Sequence, residues 1–154
     1  MQITIIRFKL VAVCFATLLC VGCGGGDDYV VPELTKVSGT VTMDGKPLEK
    51  VTVIYTPQAG TQAIGGIGVT DSSGKYTLTH KSDQPGVEPG KYDVTFSKWA
   101  MPDGSPIPEG KTAADVEAKQ MIPDVYTIVT QSGPRNIAEV KAGEETIDFE
   151  LKSK

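Results

Sequence analysis

The residues able to do chemistry in this chain are few, and most lie apart. Cys14, Cys20 and Cys23 share one short N-terminal stretch, and no cysteine follows them. His80 is the 1 histidine among 154 residues. A nucleophile triad or an imidazole metal cluster needs several such groups in one place, so no catalytic or metal-ligating set is expected. His80 keeps phase with Tyr76 and Leu78, which suits a partly buried residue at a strand edge. Asp71 opens "DSSG", but a calcium loop needs carboxylates at alternating positions and a distal Glu, and Ser72, Ser73 and Gly74 supply none. An Asx turn fits Asp71 better, its carboxylate accepting backbone N–H groups and Gly74 taking a positive φ. Acid–base work would need carboxylates raised in pKa within a cleft, whereas Asp148 and Glu150 occupy outward strand positions. No enzyme activity and no cofactor is expected.

Trp99, the 1 tryptophan, directly follows an alternating strand and heads a proline-rich connection. Two readings stand. With Tyr126 as a neighbour it could form an exposed platform for a sugar ring or a peptide. Alternatively it folds back to close one end of the domain, since large aromatics are highly buried on average.

The elements that would carry these residues begin with an export signal. Arg7 and Lys9 form a positive start, Leu10 to Val21 is apolar, and small residues follow. That run falls short of the about 20 residues needed to cross roughly 30 Å of hydrocarbon. Val21-Gly22-Cys23 resembles the lipobox of bacterial lipoproteins. The resemblance implies a signal peptide over 1–22 and a Cys23 that becomes the new N-terminus and carries lipid. Cys20 is a poor acceptor, because Leu19 and not a small residue precedes it. Each buried acyl methylene is worth about 0.8 kcal/mol, so two or three chains would hold the protein to a membrane. The other reading is a plain secretory signal cleaved near Gly24. Gly24 stands where some bacteria use Asp to retain lipoproteins at the inner membrane, so the expected location is the periplasmic face of the outer membrane or the cell surface.

Beyond Cys23 the chain keeps all 19 acidic residues and loses Arg7 and Lys9 from its 15 basic ones, within a formal net charge of −4. Binding to phosphate backbones draws on clustered Lys and Arg, so nucleic acid is excluded as an expected partner. With Cys23 acylated no disulfide can form in the domain, and stability must come from an apolar core. Residues 23–36, glycine-rich, then acidic, then interrupted by Pro32, read as a flexible tether with a reach of roughly 20 Å.

From Val37 the pattern alternates with a period of two. Val37, Val41 and Met43 share one face, as do Val51, Val53 and Tyr55, Tyr76 and Leu78, Tyr92, Val94 and Phe96, and Ile147, Phe149 and Leu151. Asp44-Gly45 marks a tight turn that would join the first two of these strands as a hairpin. Seven or eight short strands separated by turn residues predict an all-β, antiparallel sandwich over 37–154. One short helix is predicted at Ala113 to Gln120, capped by Thr112 with Asp115 answering, inside the long connection from Trp99 to Met121.

"VSGTVTMDGKPLEKVTVIYTP" (Val37–Pro57), "VTDSSGKYTL" (Val69–Leu78), "PGKYDVTFSK" (Pro89–Lys98) and "VKAGEETIDFELK" (Val140–Lys152) resemble the carboxypeptidase regulatory-like or transthyretin-like sandwich domains. Their order is similar to that in short exported lipoproteins of planctomycete-type bacteria. Taken together, the chain reads as a non-enzymatic accessory or interaction module of the cell envelope, with an envelope protein as partner or, through Trp99 and nearby tyrosines, a glycan. Some transthyretin-like proteins hydrolyse a purine-degradation intermediate with several histidines, an Arg and a Tyr-Arg-Gly-Ser ending. This chain has His80 alone and ends "ELKSK", so that activity is not implied.

Overall fold

An alternating strand commits one face to a core, and here the predicted faces are the buried ones. Val37, Val41, Val51, Val53, Tyr55, Tyr76, Leu78, Tyr92, Val94, Phe96, Phe149 and Leu151 all lie inside. The computed structural model describes residues 33–129 and 136–153; Cys23, the 1–22 signal and the tether as far as residue 32 lie outside them.

Twelve short strands form among the described residues: β1 (Lys36–Met43), β2 (Lys46–Pro47), β3 (Thr52–Pro57), β4 (Gly66–Val69), β5 (Lys75–Thr77), β6 (Thr79–His80), β7 (Gly90–Ser97), β8 (Trp99–Ala100), β9 (Lys119–Gln120), β10 (Ile137–Val140), β11 (Glu144–Thr146) and β12 (Phe149–Leu151). One 3₁₀ turn covers Asp124–Tyr126. The described residues are all-β, with almost no helix.

Two five-stranded sheets share one core. In the first, β1 is central. Its first half pairs with β5 and β11, and its second half with β2 and β12. The second sheet runs β10-β7-β3-β4-β6 and is antiparallel throughout. Phe149 of the first sheet meets Phe96 of the second edge-on at 5.0 Å and Tyr55 at 6.4 Å between ring centres. Burying an aromatic or branched aliphatic side chain is worth roughly 1.5–3 kcal/mol, so this shared interior holds the sheets together.

Four expectations are corrected. First, β1 runs parallel to β11 and β12, so the fold is not purely antiparallel: the chain reaches them from β10 in the opposite sheet and re-enters beside β1 in β1's own direction. Second, Asp44 (φ 51°) and Gly45 (φ 77°) do make a tight turn, but it joins β1 to the two-residue β2, and β3 lies in the other sheet against β4 and β7. Third, the strands outnumber seven or eight because single runs are divided. "KYTLTH" splits at Leu78, giving β5 to the first sheet and β6 to the second; Leu78 sends its N–H to the Val37 carbonyl, 2.9 Å away.

Fourth, the predicted helix at Ala113–Gln120 is absent: residues 113–117 are turns and Lys119–Gln120 is a strand. The capping exchange itself forms: the Thr112 N–H and hydroxyl both donate to Asp115 Oδ2 at 2.8 Å, and the Asp115 N–H returns to Thr112 Oγ1 at 3.3 Å. Nucleation alone is unfavourable, and the segment has no length to propagate. Glu117 turns left-handed (φ 50°), and Lys119–Gln120 is taken up as β9. The sheet also starts earlier than the alternation predicts, with Thr35 buried, bridged to Val87 and donating its hydroxyl to the Lys141 carbonyl at 2.6 Å.

Candidate functional site

Trp99 does not fold back. β8 continues from β7 and pairs with β9 in a small ribbon, Trp99 opposite Gln120. This holds the backbone while leaving the indole half exposed, at 50%. Beside it opens a concavity of about 340 Å³ lined by Glu49, Lys50, Lys98, Ala100, Pro106 and Ile107. That volume lies at the small end of the range for ligand pockets.

The walls are held by hydrogen bonds. Gln120 Oε1 accepts from the Lys98 N–H at 2.8 Å and the Ile122 N–H at 3.1 Å, and Gln120 Nε2 donates to Ser97 Oγ at 3.0 Å. One side chain therefore ties the end of β7 to the far end of the long connection. The loop after β8 closes on itself through Met101 N–H to the Ser105 carbonyl and Gly104 N–H to the Met101 carbonyl, both 2.8 Å. Asp103 Oδ1 accepts from the Ser105 N–H at 2.9 Å and its hydroxyl at 2.6 Å, and the hydroxyl bond leads in holding this carboxyl below its usual range. Also lining the concavity, Lys50 has a left-handed backbone (φ 58°), and its N–H donates to the Thr70 carbonyl at 2.9 Å. A non-glycine residue at positive φ is uncommon and fixes where its side chain leaves the turn.

Tyr126 has other work. It packs on the core from the 3₁₀ turn, and its hydroxyl accepts the Lys152 N–H at 3.1 Å, tying that turn to the end of β12.

His80 is more buried than an edge residue, at 1% exposure. Its partner, Glu88, also 1% exposed, drew no notice in the sequence. Glu88 sits amid "PGVEPG", which reads as a solvated turn. His80 Nε2 stands 3.0 Å from Glu88 Oε1, which also accepts the Ile64 N–H at 3.0 Å. His80 Nδ1 accepts the Ser82 N–H at 3.1 Å and lies 2.7 Å from Ser82 Oγ. An Nδ1 that accepts places the proton on Nε2, facing the carboxylate. Hydroxyl, imidazole and carboxylate thus line up, but the hydroxyl belongs to the residue two places on, whose own N–H caps the same nitrogen. The arrangement closes the His80–Gln84 turn, where the His80 N–H also donates to the Gln84 carbonyl at 2.7 Å. Glu88 links that turn to residue 64, and Tyr92 Oη donates to the Glu88 carbonyl at 2.5 Å.

Asp71 forms the turn its sequence predicts. Oδ1 accepts from the Ser73 hydroxyl at 2.7 Å, the Ser73 N–H at 2.8 Å and the Lys75 N–H at 3.0 Å. These donors, the hydroxyl first, hold its carboxyl below the usual range. Among the described residues no group of three or more His, Cys, Asp and Glu is placed to hold a metal ion.

No protein-family profile and no curated protein matches the chain. Solved structures similar to it include a DUF3823 family protein from Parabacteroides merdae, 13% identical with a TM-score of 0.38, which covers 79% of this chain and 47% of its own. Another is a 9R-lipoxygenase from Cyanothece, 18% identical with a TM-score of 0.34, which covers 78% of this chain and 16% of its own. The chain spans about half the length of the first and under a fifth of the second. The β-rich architecture rests on the strands themselves.

Proposed function

We propose that this protein is an exported, lipid-anchored module of the carboxypeptidase regulatory-like or transthyretin-like sandwich type, which works without catalysis by presenting a binding surface at the cell envelope. The Val21-Gly22-Cys23 signal supports the anchor, and residues after Cys23 supply the reach. The observation that carries the binding role is Trp99: an indole left half exposed on a hydrogen-bonded ribbon, beside a concavity with fixed walls. An indole in water beside a concavity offers a flat apolar face with a polar N–H edge to a ligand. The periplasmic face of the outer membrane or the cell surface is the proposed location.

The test is metabolic labelling with a clickable fatty acid and in-cell crosslinking, comparing wild type with Cys23→Ala. Loss of label and of membrane retention, with a Trp99-dependent crosslinked partner, is expected. A soluble, unlabelled wild-type protein would overturn the anchor, and crosslinks indifferent to Trp99→Ala would overturn the surface.

A second reading has its own observation. The concavity sets apolar Trp99, Pro106 and Ile107 beside polar Glu49, Lys50 and Lys98. A pyranose ring has the same division, with a C–H face for the indole and a hydroxyl edge for charged and amide groups. On this reading the partner is a glycan.

A further inference from the structure

The charges around Trp99 narrow the ligand. Resting on the saccharide reading above, we infer that the Trp99 concavity takes a sugar bearing a carboxylate, a uronic acid unit, with Lys50 and Lys98 as the pair that recognises the acid group.

Three observations converge. The chain carries a net charge of −4, yet this concavity is lined by two lysines and one glutamate. A local excess of cation on an acidic protein selects for an anion here and not over the surface at large. Next, the two lysines approach from separate elements, Lys50 from the turn before β3 and Lys98 from the link between β7 and β8. Both backbones are pinned, Lys50 in its left-handed turn and Lys98 by Gln120. Pinning lowers the ordering cost of binding. Finally, Trp99, which lines the same concavity, offers a flat half-exposed surface and not a slot. A ring stacked on Trp99 would turn its edge substituents toward the lysines, while Glu49 accepts from its hydroxyls. A peptide acid has the charge but lacks the flat ring, and a neutral sugar has the ring but leaves the lysines without a partner.

The detergent-solubilised full-length protein is titrated with a galacturonic acid trimer, a galactose trimer and polyglutamate. Trp99 fluorescence is the readout, since it is the 1 tryptophan of the chain. The acidic trimer is expected to perturb the emission and bind about tenfold more tightly than the neutral one, with the preference falling as salt rises. In a Lys50→Asn, Lys98→Gln double variant that preference disappears, the acidic trimer binding no more tightly than the neutral one. Asn tolerates the left-handed backbone at position 50, and circular dichroism verifies the fold. Equal binding of both trimers overturns the acid preference and leaves the saccharide reading standing. Polyglutamate binding as tightly as the acidic trimer overturns the ring requirement. No response to either trimer overturns both readings.

Discussion

The Tyr76 hydroxyl donates to the carbonyl oxygen of Ile147 at 2.7 Å, at the point where the last strand breaks between β11 and β12. The register against β1 does not change across that break, since Lys36 faces Glu144 and Val41 faces Phe149. The Ile147 carbonyl has instead turned inward, toward Gly39 and Tyr76, while its N–H keeps the Ser38 carbonyl at 2.8 Å. Tyr55 and Tyr76 hydroxyls lie 3.0 Å apart, and because Tyr76 spends its proton on Ile147, Tyr55 donates to Tyr76.

Position 39 therefore has no room for a side chain. A Cβ there would meet the Ile147 oxygen at 1.8 Å and a Tyr76 ring carbon at 2.9 Å. Gly39→Ala is expected to cost about 3 kcal/mol, near the upper end for overpacking, because the clash is with backbone. Tyr76→Phe, which keeps the ring and removes the donor, is expected to cost about 1–2 kcal/mol. Chemical denaturation reads both, and an unchanged midpoint for Gly39→Ala would refute the inward carbonyl.

The same pair sets an alkaline limit. Burial pushes the Tyr76 hydroxyl up to about 12 from its ordinary 10 and raises Tyr55 further. A raised folded-state pKa means the native state holds its proton where the unfolded chain releases it. The stabilisation is complete below pH 10 and drains away as pH climbs through 12. Tyrosinate absorbance should rise first from accessible tyrosines, with the final part appearing together with loss of the β-sheet signal. Complete ionisation near pH 10 in a still-folded protein would contradict the burial.

Glu88 is a structural residue by this geometry. Glu88→Ala removes the carboxylate oxygen that faces His80 Nε2 and accepts the Ile64 N–H, so both lose that acceptor. The expected cost is about 3 kcal/mol. Amide exchange should accelerate first in β4, β6 and the turn after β6, because those are the backbones it joins. A uniform loss across both sheets would instead assign Glu88 a role in the shared core.

Trp99 should behave in the opposite way. Half exposed on a two-residue strand, it contributes little to folding, and Trp99→Ala is expected to shift stability by no more than about 0.5 kcal/mol. Gln120→Ala should cost more than Trp99→Ala, since Gln120 bonds three backbone or side-chain groups around the concavity. Thermal melts of the two variants side by side decide the order.

What the sequence determined by itself was which side of most strands faces inward. Period-two alternation is a local property, and burial follows it in β1, β3, β5, β7 and β12, but not in β4, where Gly66 and Gly68 face the core and Ile67 and Val69 face out. Local turn chemistry was equally legible, as Asp71 with Ser73 and Thr112 with Asp115 show, because each needs only neighbours two to four residues away. Partner choice was not legible. The parallel placement of β11 and β12 on β1, the transfer of one run between sheets at Leu78, and the meeting of Glu88 with His80 depend on residues that the chain brings together from a distance. Trp99 belongs to the same class. Whether an aromatic at a strand end is covered or left in water depends on what the rest of the molecule places over it, and only the tertiary structure put the ribbon beneath it and open space beside it.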